Sequence, residues 1–552
     1  MRRRRRVALV GFAAAATASA VAAALLTAPT SHADTPTPYF ATTGNGSDPH
    51  IINCTDPDTG YTGWCLYTSV DMGQAYSYTG NSYPMRDTKA YFSTIGSDTT
   101  WTDKGVVFQE STIDSWTADR SDCTNSNPPA NNKPASPDPA GNCNAYHLWA
   151  PSAVKDGSYY YLFVPDVSDV STDSAPNIHT SSRVAVSRST DPFGPFTYLG
   201  EVDYSYGYMS DPEVLISNSD RVLVWADGDH STCGGFQSAL MNSDWRTFRT
   251  GTHNSIVISG VEVLGSCDPE GSAGPIGRPY MEGASVFKIG STWNMFFAAK
   301  PTSTPAECAS GVVPPGNPST ANEVIARATA SSPQGPYTYQ GIVMCGSKDE
   351  WTNQATVTVT SSGRQIIVYH DAGTGTDAKQ RNLHAECLFT NGTVVAGVYR
   401  QALTATNGFN DCIAGTSASY WGFYMKDAQV SKPTIIRAPN DGTALKADRY
   451  AVGPWERYKR VSLGSSKYAF QALSNGKYLC TPNTTTAITA SCTSTTDTNA
   501  HWYQDLYGGL RLLSVNHDTW VSVGTDGSLY ADATSRVNGA LLTYLYMGGK
   551  SS

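Results

Sequence analysis

Charge is scarce in this sequence: Asp, Glu, Lys and Arg together make up 15% of its 552 residues. Long stretches with the i, i+3, i+4 apolar spacing of an amphipathic helix are nearly absent, which argues against a helical bundle. None of the twelve cysteines forms a Cys-x-x-Cys pair, so a zinc ribbon or a dithiol redox centre is not indicated. Beyond residue 26 no apolar run is long enough to cross a membrane as a helix. What fills the chain instead is Tyr, Trp, Gly, Ser and Thr, with short apolar runs broken by Gly/Ser/Asp turns. That is an all-β composition, and a length above 500 residues implies more than one domain.

The first residues read as a leader. Arg2 to Arg6 precede an Ala-rich apolar run from Val7 to Leu26, then Ser31-His32-Ala33 stands before Asp34. A basic start, an apolar stretch and a small-residue cleavage site make a secretory signal over residues 1–33, and the paired arginines suit twin-arginine export. A membrane anchor is the competing reading, since the run is nearly long enough to span; its Ala, Gly and Thr content favours removal. Removal takes five arginines and no acids, so the formal net charge goes from −9 to −14. A chain this acidic is a poor nucleic-acid binder, and the mature protein is expected outside the cell with no membrane attachment. An even number of cysteines fits that oxidising compartment. Pairs near in sequence are Cys54–Cys65, Cys123–Cys143 and Cys480–Cys492, with Cys233–Cys267, Cys308–Cys345 and Cys387–Cys412 completing the set, although sequence alone does not fix connectivity.

One repeat is plain. Arg183 to Gly200, with Pro192-Phe193-Gly194-Pro195 at its corner, reappears as Val324 to Gly341 with Pro333-Gln334-Gly335-Pro336. Each copy follows a hairpin, Ser152 to Phe163 or Ala284 to Ala298. A four-stranded unit recurring along an all-β chain signals a propeller, because one small sheet cannot bury both faces until neighbours stack around an axis. The copies lie 141 residues apart with one unit between them. A pitch near 70 over about 390 residues predicts five blades, starting near Asp48, His147, Asp211, Glu282 and Asn353. The Asn/Pro/Ser-rich insert from Ser121 to Cys143 reads as a surface loop. Residues 34–430 are thus expected to form the propeller. Residues 431–552 carry a threefold echo at a spacing near 40, around Asn440, Asn475 and Asn516, and are expected to form a β-trefoil.

Three acids stand at the heads of strand pairs: Asp48 in Ser47-Asp48-Pro49, Asp211 in Ser210-Asp211-Pro212, and Glu282 in Tyr280-Met281-Glu282-Gly283. The last leads a hairpin turned by Gly290-Ser291. Taken singly, Asp-Pro is a turn former and Glu282 a surface carboxylate. Proline disfavours helical conformations before it, so each Asp is expected in an extended approach to its strand. In a propeller the leading loops of the innermost strands point into one end of the central channel, which would gather these acids into one pocket. Glu213 enters the strand after Asp211 and reads as structural.

Asp48-Pro49, Trp149-Ala150-Pro151, Ser210-Asp211-Pro212 and Glu282-Gly283 resemble, in order and spacing, the signature of glycoside hydrolase family 43, over roughly residues 39 to 425. The resemblance implies inverting hydrolysis with Asp48 as general base, Glu282 as general acid, and Asp211 as the group that tunes and orients Glu282. Inversion implies acid and base carboxyls about 6.5–9.5 Å apart, leaving room for water. Trp149 and His147 at the head of blade two, Arg278 beside the acid and His370 on blade five are candidate sugar-binding residues, each with an alternative reading as a packed or solvated side chain. Arg278 is also positioned in sequence to pair with one of the acids. Related propellers often hold a calcium or similar ion near the axis through a Gly-His motif on blade five. Here Thr352 to Val357 has no histidine, leaving Gln354 as an oxygen ligand and His370 as a substitute nitrogen; no other cofactor is expected. The run Ala451 to Tyr458 resembles fascin-like trefoils that attach secreted enzymes to carbohydrate. The chain is therefore expected to be a monomeric, exo-acting α-L-arabinofuranosidase on plant cell-wall polysaccharide, with β-xylosidase, arabinanase and galactanase activity as alternatives within the family. A propeller lectin without catalysis is the alternative outside it, though a lectin has no need of three acids heading blades one, three and four.

Overall fold

The computed structural model describes residues 46–71, 85–94, 101–109, 148–168, 181–228, 233–268, 276–305, 308, 323–346, 352–359 and 365–371. Further on it describes 381–391, 394–398, 420–425, 434–449, 451–452, 454–506 and 510–547. The leader, the Ser121–Cys143 insert with its two cysteines, Cys412 and His147 lie outside these residues. All described residues fall within one compact unit, 34–552, and none of their helices is long and apolar enough to cross a membrane.

Five sheets follow one another along the chain, antiparallel throughout except where Ile258–Ser259 joins the fourth in parallel. The first holds β1 (Ser47–Thr55), β2 (Thr62–Asp71), β3 (Met85–Thr94) and β4 (Thr102–Phe108). The second holds β5 (Ser152–Asp156), β6 (Tyr159–Ser168), β7 (Ser181–Ser189) and β8 (Thr197–Glu201). The third holds β9 (Ser210–Ser217), β10 (Asp220–Ala226), β11 (Phe236–Met241) and β12 (Asn254–Ile256). In the fourth, β13 (Ile258–Ser259) flanks β14 (Tyr280–Ile289), β15 (Thr292–Lys300), β16 (Val324–Ala330) and β17 (Tyr337–Met344). The fifth holds β18 (Ala355–Val359), β19 (Gln365–Asp371) and β20 (Asn382–Cys387). The two repeat copies are β7–β8 and β16–β17, and both corners contain a cis Gly-Pro bond, at Pro195 and Pro336. Gly290 and Ser291 link Ile289 to its partner Thr292, as the hairpin reading requires.

These sheets stack in a ring because each second strand is apolar on both faces. Along a strand successive side chains point to opposite faces. In β10, Val222 and Val224 pack with blade four while Leu223 and Trp225 pack with blade two. In β15, Met295 and Phe297 face blade three, and Phe296 and Ala298 face blade five. Trp64 and Leu66 of β2 meet Ile366 and Val368 of β19, so blade one closes on blade five. Blades one and two share the remaining interface through Tyr67 and Leu162. This is a five-bladed β-propeller.

The axis is tied by a second ring of polar contacts at equivalent places on the inner strands. His50 Nε2 meets Ala153 O at 2.9 Å, Ser152 Oγ accepts the Val214 N–H at 3.1 Å, and Glu213 Oε1 accepts the Val286 N–H at 2.8 Å. Ser285 Oγ accepts the Val357 N–H at 3.1 Å, and Thr356 Oγ1 accepts the Ile51 N–H at 3.4 Å, which closes the circle. Glu213 also faces His50 Nδ1 at 3.2 Å, so it is a tie between blades. Ser285→Ala strands a buried N–H, and unfolding measured against urea is expected to show a loss of about 1–3 kcal/mol; an unchanged midpoint would rule out a stabilising role for the ring.

Four of the six expected disulfides join described residues: Cys54–Cys65, Cys233–Cys267, Cys308–Cys345 and Cys480–Cys492. In the C-terminal part, strand Tyr420–Met425 pairs with Leu542–Met547 and Tyr458–Gly464. Phe389–Asn391, just past β20, also pairs with Leu542–Met547. Three backbone bonds run in a cycle: Leu445 N–H to Ile488 O (2.8 Å), Ile488 N–H to Leu529 O (2.7 Å), and Leu529 N–H to Leu445 O (3.1 Å). Around them Phe423, Phe470, Trp502, Leu512 and Val521 form a separate core.

Candidate active site

Where β1, β9 and β14 begin, each carries a bulge at the same register. Ser47 opposes Ser69 and His50 opposes Tyr67; Ser210 opposes Ala226 and Glu213 opposes Val224; Glu282 opposes Ala298 and Ser285 opposes Phe296. Two residues on the inner strand therefore face one on its neighbour. The first bulged residue is Asp48 (φ 49°), Asp211 (φ 45°) or Gly283 (φ 60°). The extended approach expected of the two aspartates is thus corrected: they are left-handed. Proline disfavours the right-handed helical basin before it, and the bulge uses the left-handed one, which Asp tolerates better than most residues. The repeat is also offset by one. Glu282 stands where the other two blades have Ser47 and Ser210, and the longer Glu side chain brings its carboxyl to the same place. Glycine is required at 283, since a Cβ there would lie 2.8 Å from Gln354 Cγ at a positive φ.

The three acids come together at one end of the axis. Asp211 Oδ2 accepts the Gly283 N–H at 3.2 Å, and Asp211 Oδ1 accepts from Ser210 Oγ at 3.3 Å. Burial pushes the Asp211 carboxyl well above the usual carboxylate range, and the charges of Glu282 and Asp48 push it further. Burial likewise raises Glu282 well above its ordinary value, with Glu323 and Asp48 adding to the effect. Asp48 is raised by burial, while Arg381 pulls it down and Asp71 pushes it up.

Several site residues carry no signal in the sequence. Arg381, buried just before β20, forks between two acids: Nη1 and Nη2 reach Asp48 at 3.0 and 3.3 Å, and Nη2 and Nε reach Asp71 at 2.8 and 3.0 Å. Its own N–H adds a bond to Asp71 Oδ2 at 2.8 Å. Ser47 Oγ donates to Asp71 Oδ1 at 2.8 Å. Tyr280 donates its hydroxyl to Glu282 Oε2, and Glu323 joins Asp48, Asp71, Asp211 and Glu282 as a fifth acid. In sequence Arg381 sits in a polar run after Lys379-Gln380, which reads as solvated surface.

The candidate sugar-binding residues fall differently. Trp149 is half-buried and joined by its N–H to Pro165 O at 3.1 Å. Arg278 donates to Gly234 O at 2.9 Å and lies beside Asp227; among the described residues none of the three acids is its hydrogen-bond partner, so of its alternatives the pairing with an acid is not formed. His370 is fully buried, accepting the Asp48 N–H on Nδ1 at 3.1 Å while Nε2 faces Thr352 Oγ1 at 3.3 Å. It touches Asp48 rather than lining an opening. The same contacts decide the axial ion. The His370 lone pair is taken by the Asp48 N–H, its other nitrogen lies 3.5 Å from the Arg381 guanidinium, and Gln354 packs on Gly283. A cation placed at His370 and Gln354 would meet the fixed positive charge of Arg381 and two side chains already engaged, so this pair does not fit the ion.

Residues 76–391 match the model of the glycosyl hydrolases family 43. The chain belongs to this family. Its five-bladed propeller agrees with that membership. Among solved structures, the family 43 enzyme from Xanthomonas citri complexed with xylotriose covers 67% of this chain and 96% of its own, at 16% identity and a TM-score of 0.45. CoXyl43, a family 43 β-xylosidase/α-arabinofuranosidase from a compost microbial metagenome, covers 66% and 98% at 18% identity and 0.46. The exo-β-1,3-galactanase 1,3Gal43A from Clostridium thermocellum covers 91% and 95% at 12% identity and 0.40. No curated protein matches the chain. Likeness this distant says nothing of the family 43 member's substrate.

Proposed function

We propose that this family 43 protein is a secreted, inverting, exo-acting glycosidase that removes arabinofuranosyl or xylosyl residues from plant cell-wall polysaccharide, with α-L-arabinofuranosidase activity foremost. The observation that carries the reading is the gathering of Asp48, Asp211 and Glu282 by matching bulges on three blades. Glycoside hydrolysis needs an acid for the leaving oxygen and a carboxylate for water, and their environments must keep one protonated and the other ionised. Glu282, half-buried among acids with no cation bonded to it among the described residues, is suited to hold its proton. Asp48, bonded to the Arg381 guanidinium, is suited to lose it. In the reaction Glu282 gives its proton to the glycosidic oxygen, which keeps the C–O bonding pair. Water bonds to the anomeric carbon from the opposite face, and its proton passes to Asp48. Asp211 holds the Gly283 N–H and so fixes the backbone that carries Glu282, while its charge opposes ionisation of the acid.

For residues 431–552 the reading is a β-trefoil that attaches the enzyme to carbohydrate, supported by the threefold cycle of Leu445, Ile488 and Leu529. The test is sugar release by the full chain from arabinan, arabinoxylan and galactan, with aryl arabinofuranoside and aryl xyloside alongside. Arabinose from chain ends is the expected product; xylose or galactose alone would replace the named substrate. No release from any of them would favour the lectin. Retention of an inactivated full-length chain on insoluble arabinoxylan is expected, and its absence from every polysaccharide would leave the C-terminal part a spacer.

A further inference from the structure

Glu323 stands directly before β16, the third strand of blade four, and is 1% exposed. Its Oε2 accepts the Asn353 N–H at 2.8 Å. No donor among the described residues reaches its buried Oε1, and its carboxyl lies against that of Glu282. Two ionised carboxylates offer only acceptors, so one proton between them would satisfy the contact. On the other side Tyr280 donates its hydroxyl to Glu282 Oε2. The further charged groups that act on this pair are Asp211 from β9, Asp48 from β1 and Lys300 from the end of β15. Arg381, the buried cation nearby, is taken up by Asp48 and Asp71.

We propose that Glu323 is a positioning residue for the general acid: the two carboxyls hold one proton between them, and Glu323 keeps it on Glu282, aimed by Tyr280 for delivery to the leaving oxygen. The inference rests on the reading of Glu282 as that acid. Burial lifts Glu323 to about 8. Burial raises Glu282 as well, and Glu323 beside it adds to that rise. Of the two only Glu282 is open to a substrate, being half-buried where Glu323 is 1% exposed, so the proton is delivered from Glu282. Once it leaves with the aglycone, two carboxylates face each other, and this repulsion drives Glu282 to take a new proton before the next turnover.

The experiment compares pH profiles of kcat/KM for the full-length protein, Glu323→Gln, Glu323→Asp and Glu282→Gln, on a 4-nitrophenyl and a 2,4-dinitrophenyl glycoside. An amide at 323 removes the opposing charge and donates to Glu282. The alkaline limb should therefore move down by about one pH unit or more on the poorer leaving group. The activated substrate, which needs little protonation, should be much less affected, and Glu323→Asp should bring the limb back toward the wild-type position. A limb that stays in place in folded Glu323→Gln, or an equal loss on both substrates, would overturn the proposal. If neither 323 variant folds, the infrared carbonyl band of a buried protonated carboxyl decides. It should titrate with the alkaline limb in the wild type and vanish in Glu282→Gln; no such band overturns the shared proton. Glu282→Gln that hydrolyses both substrates like wild type sinks the acid assignment itself, whereas a slow Glu282→Gln beside an unmoved Glu323→Gln limb sinks only the role of Glu323.

Discussion

Glu282→Gln is expected to slow hydrolysis of an unactivated glycoside about 10²–10⁴-fold, and Asp48→Asn to cost at least as much, the range typical of a positioned acid or base. The two losses should respond differently to the leaving group. A dinitrophenyl aglycone departs without a proton, so the deficit of Glu282→Gln shrinks on it. Water must still be activated whatever departs, so the deficit of Asp48→Asn persists. Their pH dependence carries opposite signs. In its proposed role Asp48 works ionised, and because it is raised from its ordinary value, the acid limb of kcat/KM should lie above the usual carboxylate range. In its proposed role Glu282 works protonated and is raised well above its own value, so activity should persist into neutral pH and fall only as Glu282 ionises. Glu282→Gln should flatten that alkaline limb and leave the acid limb. Equal deficits on both leaving groups would show that the roles are wrongly divided.

Arg381→Met is expected to destabilise the fold by about 3–5 kcal/mol, because it leaves Asp48 and Asp71 buried without their cation. Asp48, which Arg381 pulls down, would then keep in the folded state a proton that it loses on unfolding. A group whose folded pKa is raised contributes stability below its unfolded pKa and loses it as pH rises, so the deficit in Tm should be larger at pH 8 than at pH 5. Arg381→Lys should not restore the wild type, since a point ammonium cannot fork between two carboxylates. Activity near neutrality should fall as well, because Asp48 no longer ionises readily. Since the guanidinium already supplies positive charge at the axis, a chelator should change neither Tm nor rate. A Tm for Arg381→Met within a degree of wild type at both pH values, or a strong chelator effect, would remove this account.

The fold was legible because two-period burial and a repeated Pro-Gly-Pro corner are local signals. Strands such as Val222–Trp225, apolar at every position, announce burial on both faces, and the 141-residue offset between copies sets the pitch. Asp48, Asp211 and Glu282 were legible because each stands beside Pro or Gly at a strand head. Arg381, Asp71 and Glu323 were not. Nothing in Lys379-Gln380-Arg381 or Ala321-Asn322-Glu323 marks a buried charge, since burial is decided by which blades meet, and that depends on chain hundreds of residues away. The same long-range closure explains His370. It was read as a sugar or metal ligand because histidine commonly serves as either, and its engagement by the Asp48 backbone could be seen only once blade five met blade one.

Every sheet of the ring is built from one continuous stretch of chain among the described residues, so no strand is lent across the join between the last blade and the first. The join is fastened instead by apolar packing, by the Thr356–Ile51 bond, and by Arg381 and His370 of blade five gripping Asp48 and Asp71 of blade one. Fastener and reaction centre thus share their parts. A molecule whose circle parts at that seam loses the group proposed to activate water in the same event, leaving no half-open form able to work slowly.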